Sequence, residues 1–203
     1  MALSTHLGRS PGIRQYGAAV RTLLLLTVLL GLAYPLVMTG IAQVGFTGSA
    51  DGSLVHEGGR TVGSDLIGQS FTGDPTYFQS RPSAAGTGYD PLSTSASNLG
   101  PENMDLVKAV EQRRAAAAKL DGIPPAEVPA DALQASGSGL DPHISPAYAR
   151  EQVSRVARER GLSEIWVRTL VSEHTQGRIL GFLGEPRVNV LELNLALDRA
   201  SRG

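Results

Sequence analysis

The chain has 203 residues, 41% of them hydrophobic and 18% charged, with a formal net charge of −1 and no cysteine. That length allows one domain plus an additional segment. A near-neutral balance argues against a nucleic-acid partner, which selects a basic surface, and the lack of cysteine leaves the redox compartment unread.

Residues 1–16 read as a short, polar, loose tail. Residues 17–44 follow as an apolar rod, densest in "TLLLLTVLLGLAYPLVMTGIAQV" from Thr22 to Val44, and no Asp, Glu, Lys or Arg occurs between Thr22 and Ala50. About 20 apolar residues suffice to cross a hydrocarbon core as helix, and a helix satisfies its own backbone in lipid. Pro35 is expected to kink it. Two alternatives stay open. A cleaved signal peptide fits Gly48-Ser49-Ala50 as a cleavage site, although its apolar part is usually only 7–15 residues. A buried core helix would be less uniformly apolar.

Arg9, Arg14 and Arg21 precede the rod, and no acid occurs before Asp51. The positive-inside rule therefore places the N-terminus in the cytoplasm and residues 45–203 outside it. From Asp51 onward 15 basic residues face 19 acidic ones, a net charge of −4.

Gly45 to Gly73 is rich in Gly, Ser and Thr, with the apolar island "DLIGQSF" expected to be extended. "TYFQS" before Arg81 is a candidate strand because of its adjacent aromatics. Pro82 to Gly100 is a long run of small polar residues, and such loops are commonly functional or disordered. Glu102 to Leu120 is built from strong helix formers and stopped by Asp121-Gly122 and Pro124-Pro125. A second helix starts after the Ser145 cap with Pro146 in its first turn and ends at Gly161. Its apolar stripe is Ala149, Val153 and Val156; Arg150, Arg155 and Arg158 are expected on the other sides. Ser163 caps a third helix that buries Val167, Leu170 and Val171, with Trp166 helping to close the core. "RILGFLG" is a candidate strand or hairpin edge. "VNVLELNLALD" alternates like a strand, but Asn189 followed by Glu192 resembles a capping box, and helix is chosen. The fold class is α+β: one transmembrane helix, then one mixed α/β extracytoplasmic domain.

The segment "SGSGLDPHISPAYAR", Ser136 to Arg150, concentrates chemistry-bearing residue types. Ser138, Asp141 and His143 are the types of a catalytic triad, yet triad members normally converge from distant positions, and three within six residues are hard to place in relay. Asp141 and His143 lack further ligands at zinc-like spacing. Gly137 and Gly139 begin a nucleotide-loop pattern that Pro142 breaks, although N–H groups of such loops can hold anions. The bland reading is a set of tight turns ending in a helix cap. Arg81, beside the long loop that holds Asn98, is expected to pin that loop by two-point hydrogen bonds. Arg187 in "GEPRVN" is expected to pair with Glu185 or reach a partner.

The order of these motifs is more specific than any one of them. An N-terminal basic tail and single span precede "LIGQSF", "YFQSRPSA", "SNLGPEN", "ASGSGLDPHISPAYAREQVSRVARERGL", "LVSEHTQGR" and "GEPRVNVLELNLALD". Nearly the whole chain from Arg21 on resembles the KdpC family, the C subunit of the Kdp potassium-transporting P-type ATPase of prokaryotes. Glu102 and the Pro124–Ala130 linker depart from the family's usual character. The resemblance implies an accessory, non-catalytic subunit of a membrane complex that hydrolyses ATP to import potassium. Its implied partners are a channel-like subunit, an ATP-hydrolysing P-type subunit and membrane lipid. It also implies a catalytic-chaperone role that raises the ATP affinity of the hydrolysing subunit. No cofactor is expected to bind firmly, with ATP reached through the complex. Arg81, Asn98, Ser136, Gly137, Ser138, Gly139, Asp141, His143 and Ser145 are the expected partner- or ligand-facing residues; no catalytic or metal set is expected. A membrane-anchored hydrolase using Ser138 and His143, or an anchored solute-binding module, stays as the alternative.

Overall fold

The computed structural model describes residues 11–201. Most of the expected tail, including Arg9, lies outside the described residues. The chain divides after Ser53 into two units.

The first unit is helical. Helix α1 (Pro11–Val28) runs into a π-helical turn (Leu29–Ala33), α2 (Tyr34–Gly45) and the short α3 (Thr47–Ala50). The run Gly12–Gly45 is long and apolar enough to cross a membrane, and none of it is buried within the protein. At 1.5 Å per residue its 34 residues extend about 51 Å, more than a ~30 Å hydrocarbon core requires. It is suited to single-pass anchoring. The irregularity expected at Pro35 takes the form of a widened turn just before it. The Tyr34 N–H donates to the Leu29 carbonyl, five residues back. Proline has no N–H and its ring crowds the carbonyl four residues earlier, and a π-turn relieves that crowding.

The second unit is mixed α/β. Strands β1 (Leu54–Glu57) and β2 (Arg60–Ser64) form an antiparallel hairpin. Gly58 and Gly59, at φ +56 and +78, make the two-residue turn, because both central positions of such a turn need the left-handed region. Helix α4 (Met104–Asp121) begins where the Asn103 side chain accepts from the Asp105 N–H and ends at left-handed Gly122. Strand β3 (His143–Ile144) leads into α5 (Pro146–Glu151), α6 (Val153–Arg160) and α7 (Glu164–Glu173). Strand β4 (Thr175–Gln176), β5 (Arg187–Asn189) and α8 (Val190–Ala200) complete the unit. The second sheet has the order β3-β5-β4, all antiparallel.

The core gathers Phe78, Val153, Val156, Val167, Val188 and Leu193 between the helices and this small sheet. The alternating C-terminal segment is the helix α8, and Asn189 caps it by accepting from the Leu191 and Glu192 N–H groups. "RILGFLG" closes on itself through one antiparallel bridge, Ile179 to Leu183.

Several expectations are corrected. The stretch from Pro146 to Gly161 is two helices, broken at the buried Gln152. "TYFQS" is not a strand. Its backbone is instead paired by side-chain amides: Phe78 N–H donates to Asn194 Oδ1 at 2.9 Å, and Asn194 Nδ2 donates back to the Phe78 carbonyl at 3.0 Å. Gln152 does the same for Gln79, at 2.6 and 3.3 Å. "DLIGQSF" is irregular apart from one bridge between Ser64 and Ile67. Ser163 occupies the cap position of α7 without a side-chain cap bond. Trp166 remains 39% exposed and does not close the core.

Arg155 is the largest correction. Expected on an outer face, it is wholly buried. Its Nε meets Asp121 Oδ1 at 2.7 Å. Its Nη2 meets Gln152 Oε1 at 2.7 Å, and its Nη1 donates to the carbonyls of Tyr77, at 2.9 Å, and Pro75. A buried guanidinium is tolerated only when its donors are matched in this way.

Candidate functional site

Ser136 to Ser145 is a sequence of turns locked by its own side chains. Ser136 Oγ accepts from the Gly139 N–H at 3.0 Å, and Ser138 Oγ accepts from the Leu140 N–H at 3.1 Å. The Gly139 carbonyl accepts from Ser83 Oγ at 2.6 Å, while the Ser138 carbonyl accepts from Thr94 Oγ1 at 2.7 Å. The segment is thereby tied to the long loop that precedes α4. Gly139 sits at φ +69, and a Cβ there would come within 2.7 Å of both Ala85 N and Ser95 O. Only glycine fits that backbone contact.

Asp141 is the hub of the next turn. Its Oδ1 accepts from the His143 N–H at 3.0 Å and faces His143 Nδ1 at 3.2 Å, and its Oδ2 takes Arg81 Nη1 at 3.0 Å. Burial pushes the Asp141 carboxyl up, but the His143 hydrogen bonds and the Arg81 charge outweigh it and hold the group below its ordinary value. Ser145 works in two directions. Its Oγ caps α5 by accepting from the Tyr148 N–H at 3.0 Å, and its own N–H and hydroxyl donate to the two oxygens of Asp131 at 2.6 and 3.0 Å.

The structure gathers Arg81, Asp141, His143 and Ser145 around one cleft of about 310 Å³, with Asp131 and Arg187. Ser136, Gly137, Ser138 and Gly139 form the adjoining turns and do not line it. Asn98 stands apart, exposed and at φ +51. Arg81 does not clamp at two strong points: among the described residues it reaches, beyond Asp141, only the Gln134 carbonyl, at 3.5 Å, and its Nε is shielded without a partner there. Its carbonyl accepts from the Tyr89 hydroxyl at 2.7 Å, and burial pushes that phenol up to about 12. Glu185 pairs with Arg178 at 2.8 Å rather than with Arg187.

Chemically the cleft offers charge recognition. Ser138 is bonded to backbone, His143 faces Asp141, and no hydrogen bond joins Ser138 to His143 among the described residues. Among the described residues no group of three or more His, Asp or Glu is arranged to hold a metal. The N–H groups of Gly139, Leu140, His143 and Ser145 are already donated to side-chain oxygens.

The family model for KdpC, K+-transporting ATPase, c chain, matches residues 16–199. The chain belongs to the KdpC family. It is 59% identical over 189 residues to the potassium-transporting ATPase KdpC subunit of Kineococcus radiotolerans, covering 93% of this chain and 95% of that one. The KdpC subunit of Koribacter versatilis is 57% identical over 173 residues, covering 85% and 88%. That of Beijerinckia indica is 55% identical over 177 residues, covering 87% and 89%. The resemblance drawn from the motifs is the family found by comparison.

One polar residue of the cleft and one buried outside it escaped the sequence. Asp131 lies 14 positions before Ser145 in a Pro- and Ala-rich stretch that gives no sign of its role. The broken helix that lets Gln152 reach Gln79 was equally silent, since nothing in "AREQVSR" marks a stop.

Proposed function

We propose that this chain is a non-catalytic accessory subunit of a potassium-transporting P-type ATPase, held in the membrane by the helix Gly12–Gly45. The N-terminus lies in the cytoplasm and the α/β unit outside it, as the flanking arginines favour. There the unit rests over the ion entrance of the channel-like subunit and stabilises the complex, and its net charge of −4 enriches cations locally. It raises the ATP affinity of the hydrolysing subunit indirectly, by holding the assembly together, rather than by presenting a nucleotide cradle of its own.

One observation carries this reading beyond family membership. Ser136, Ser138, Asp141 and Ser145 are taken up in shaping their own segment, and the loop's N–H groups with them. The segment is therefore a rigid platform for a partner instead of a reactive centre. The Ser138→Ala variant tests it. The complex should assemble and hydrolyse ATP in response to potassium as before. Abolished turnover in an assembled complex would favour the hydrolase alternative. Potassium uptake with acidic residues of the outer unit neutralised tests the steering role; unchanged apparent affinity at low salt counts against it.

A further inference from the structure

A second cavity, of about 430 Å³, is lined by α4, α5 and the irregular stretch from Gln79 to Tyr89. Arg81 is the one residue it shares with the cleft described above. Its volume is that of a small-molecule site. Arg113, Ala117 and Leu120 fall on one face of α4, because residues three and four apart are neighbours on a helix. Together with Ala132, Ala117 and Leu120 make one wall apolar.

Two polar groups on the lining are almost wholly buried and lack partners. Tyr148 is 5% exposed and Gln79 is 7% exposed. The Tyr148 hydroxyl has no hydrogen-bond partner among the described residues. Burial pushes its phenol well above the ordinary value, so the group remains an O–H donor. Gln79 Nε2 is spent on the carbonyls of Asp74 and Tyr77, at 2.8 and 3.0 Å. That fixes the amide's orientation and leaves Oε1 as an acceptor with no donor among the described residues. Neither oxygen is sealed from solvent. Buried polar groups normally find partners, and two on one cavity without any are groups that a ligand would satisfy.

Arg113 supplies the charge. Its Nη1 donates to the Leu133 carbonyl at 2.9 Å, which positions the guanidinium, and it has no ion-pair partner among the described residues. Arg81, the other charged residue on the lining, is matched by Asp141, and none of the described lining residues is acidic. One uncompensated guanidinium suits one carboxylate, to which its planar fork is matched. A polyphosphate would need more cations, an inorganic anion would leave the apolar wall unused, and an ammonium group would find no counter-charge. A hydroxyl serves Tyr148 and Gln79 together, since it accepts from the one and donates to the other.

We propose that this cavity binds a small hydroxy acid. Its carboxylate pairs with Arg113, its hydroxyl sits between the Tyr148 hydroxyl and Gln79 Oε1, and its apolar body packs on Ala117, Leu120 and Ala132. The proposal is independent of which subunits the chain joins.

Calorimetry on the full chain in detergent tests it. The probes are mandelate and γ-hydroxybutyrate, which hold the hydroxyl at different distances from the carboxylate. Phenylacetate and butyrate lack the hydroxyl, and mandelamide lacks the charge. At least one hydroxy acid should bind saturably and roughly tenfold or more tighter than its counterpart without the hydroxyl, because that counterpart leaves Tyr148 and Gln79 unsatisfied. Mandelate should exceed mandelamide by a similar factor. Tyr148→Phe should erase the preference for the hydroxyl. It should leave unfolding of the unliganded chain, followed by Trp166 fluorescence, unchanged or later, since no protein contact is lost. Arg113→Gln should erase the preference for mandelate over mandelamide. The proposal is overturned if neither hydroxy acid binds, if the analogues bind equally well, or if inorganic phosphate competes at equal concentration. Earlier unfolding of unliganded Tyr148→Phe, or preferences that survive in both variants, overturns it as well.

Discussion

Arg155→Ala should be the most damaging single substitution in the α/β unit that touches no surface. It removes the partner of Asp121, whose side chain is only 2% exposed, and leaves the Pro75 and Tyr77 carbonyls and Gln152 Oε1 without their shared donor. Breaking a buried ion pair from one side typically costs about 3–5 kcal/mol, because the surviving charge stays desolvated. For a unit of this size each kcal/mol lowers Tm by about 2–4 °C, so the expected drop is about 6–20 °C. The assay is thermal unfolding of the full chain in detergent followed by Trp166, the single tryptophan, which reports on the α/β unit alone. Arg158→Ala is the internal control. That arginine is 64% exposed and pairs only with Glu159, and such pairs contribute about 0–1 kcal/mol. Arg155→Lys should fall between, since it keeps the charge but loses the multi-point geometry. If Arg155→Ala melts within 3 °C of Arg158→Ala, the claim that this cluster organises the core is wrong.

Gly139→Ala should lower Tm strongly, by about 2–4 kcal/mol in stability, because it forces a Cβ against Ala85 N and Ser95 O at a positive φ, whereas Gly137→Ala, with open space around it, should be near neutral; equal melting temperatures would refute the contrast. Asn194→Ala strands the N–H and carbonyl of buried Phe78 and should cost about 2–4 kcal/mol, read as a loss of midpoint denaturant concentration at unchanged slope. Asp141 is held below its ordinary value, so its contribution is full above about pH 4 and is lost as pH falls through its folded-state value. The Tm gap between the native chain and Asp141→Asn should therefore narrow between pH 7 and pH 3; a constant gap contradicts the assignment.

The helices were legible because their signals are local. Asn103, Ser145 and Asn189 are cap residues within three positions of the groups they bond, and Gly122 and Gly161 stop helices at left-handed positions. The apolar rod was legible from composition alone. What escaped was set by distant contacts. Phe78 and Gln79 look like strand residues, but their pairing groups are side chains 116 and 73 positions away. Arg155 carries the pattern of a surface arginine, and its burial is made tolerable by partners the local pattern does not show, Asp121 34 positions earlier and the Pro75 and Tyr77 carbonyls about 80. The strands β3, β4 and β5 have two or three residues each, too few for a period to register. The β1–β2 hairpin did carry a signal, Gly58-Gly59 between "LVHE" and "RTVGS", which the glycine-rich surroundings obscured. At the site, the chemistry of Ser136 to Ser145 was visible as residue types, but its direction was not. The serines and Asp141 turn inward to hold the loop, and the side chain left without a hydrogen-bond partner among the described residues is that of Arg187.

The account stands or falls on whether this chain serves a complex instead of reacting alone. Potassium-stimulated ATP hydrolysis by the purified assembly, measured with and without the chain, tests that most directly. Without it, apparent ATP affinity should fall, adding the native chain should restore it, and the chain by itself should hydrolyse nothing. Hydrolysis by the isolated chain, or an assembly indifferent to its removal, would contradict the account.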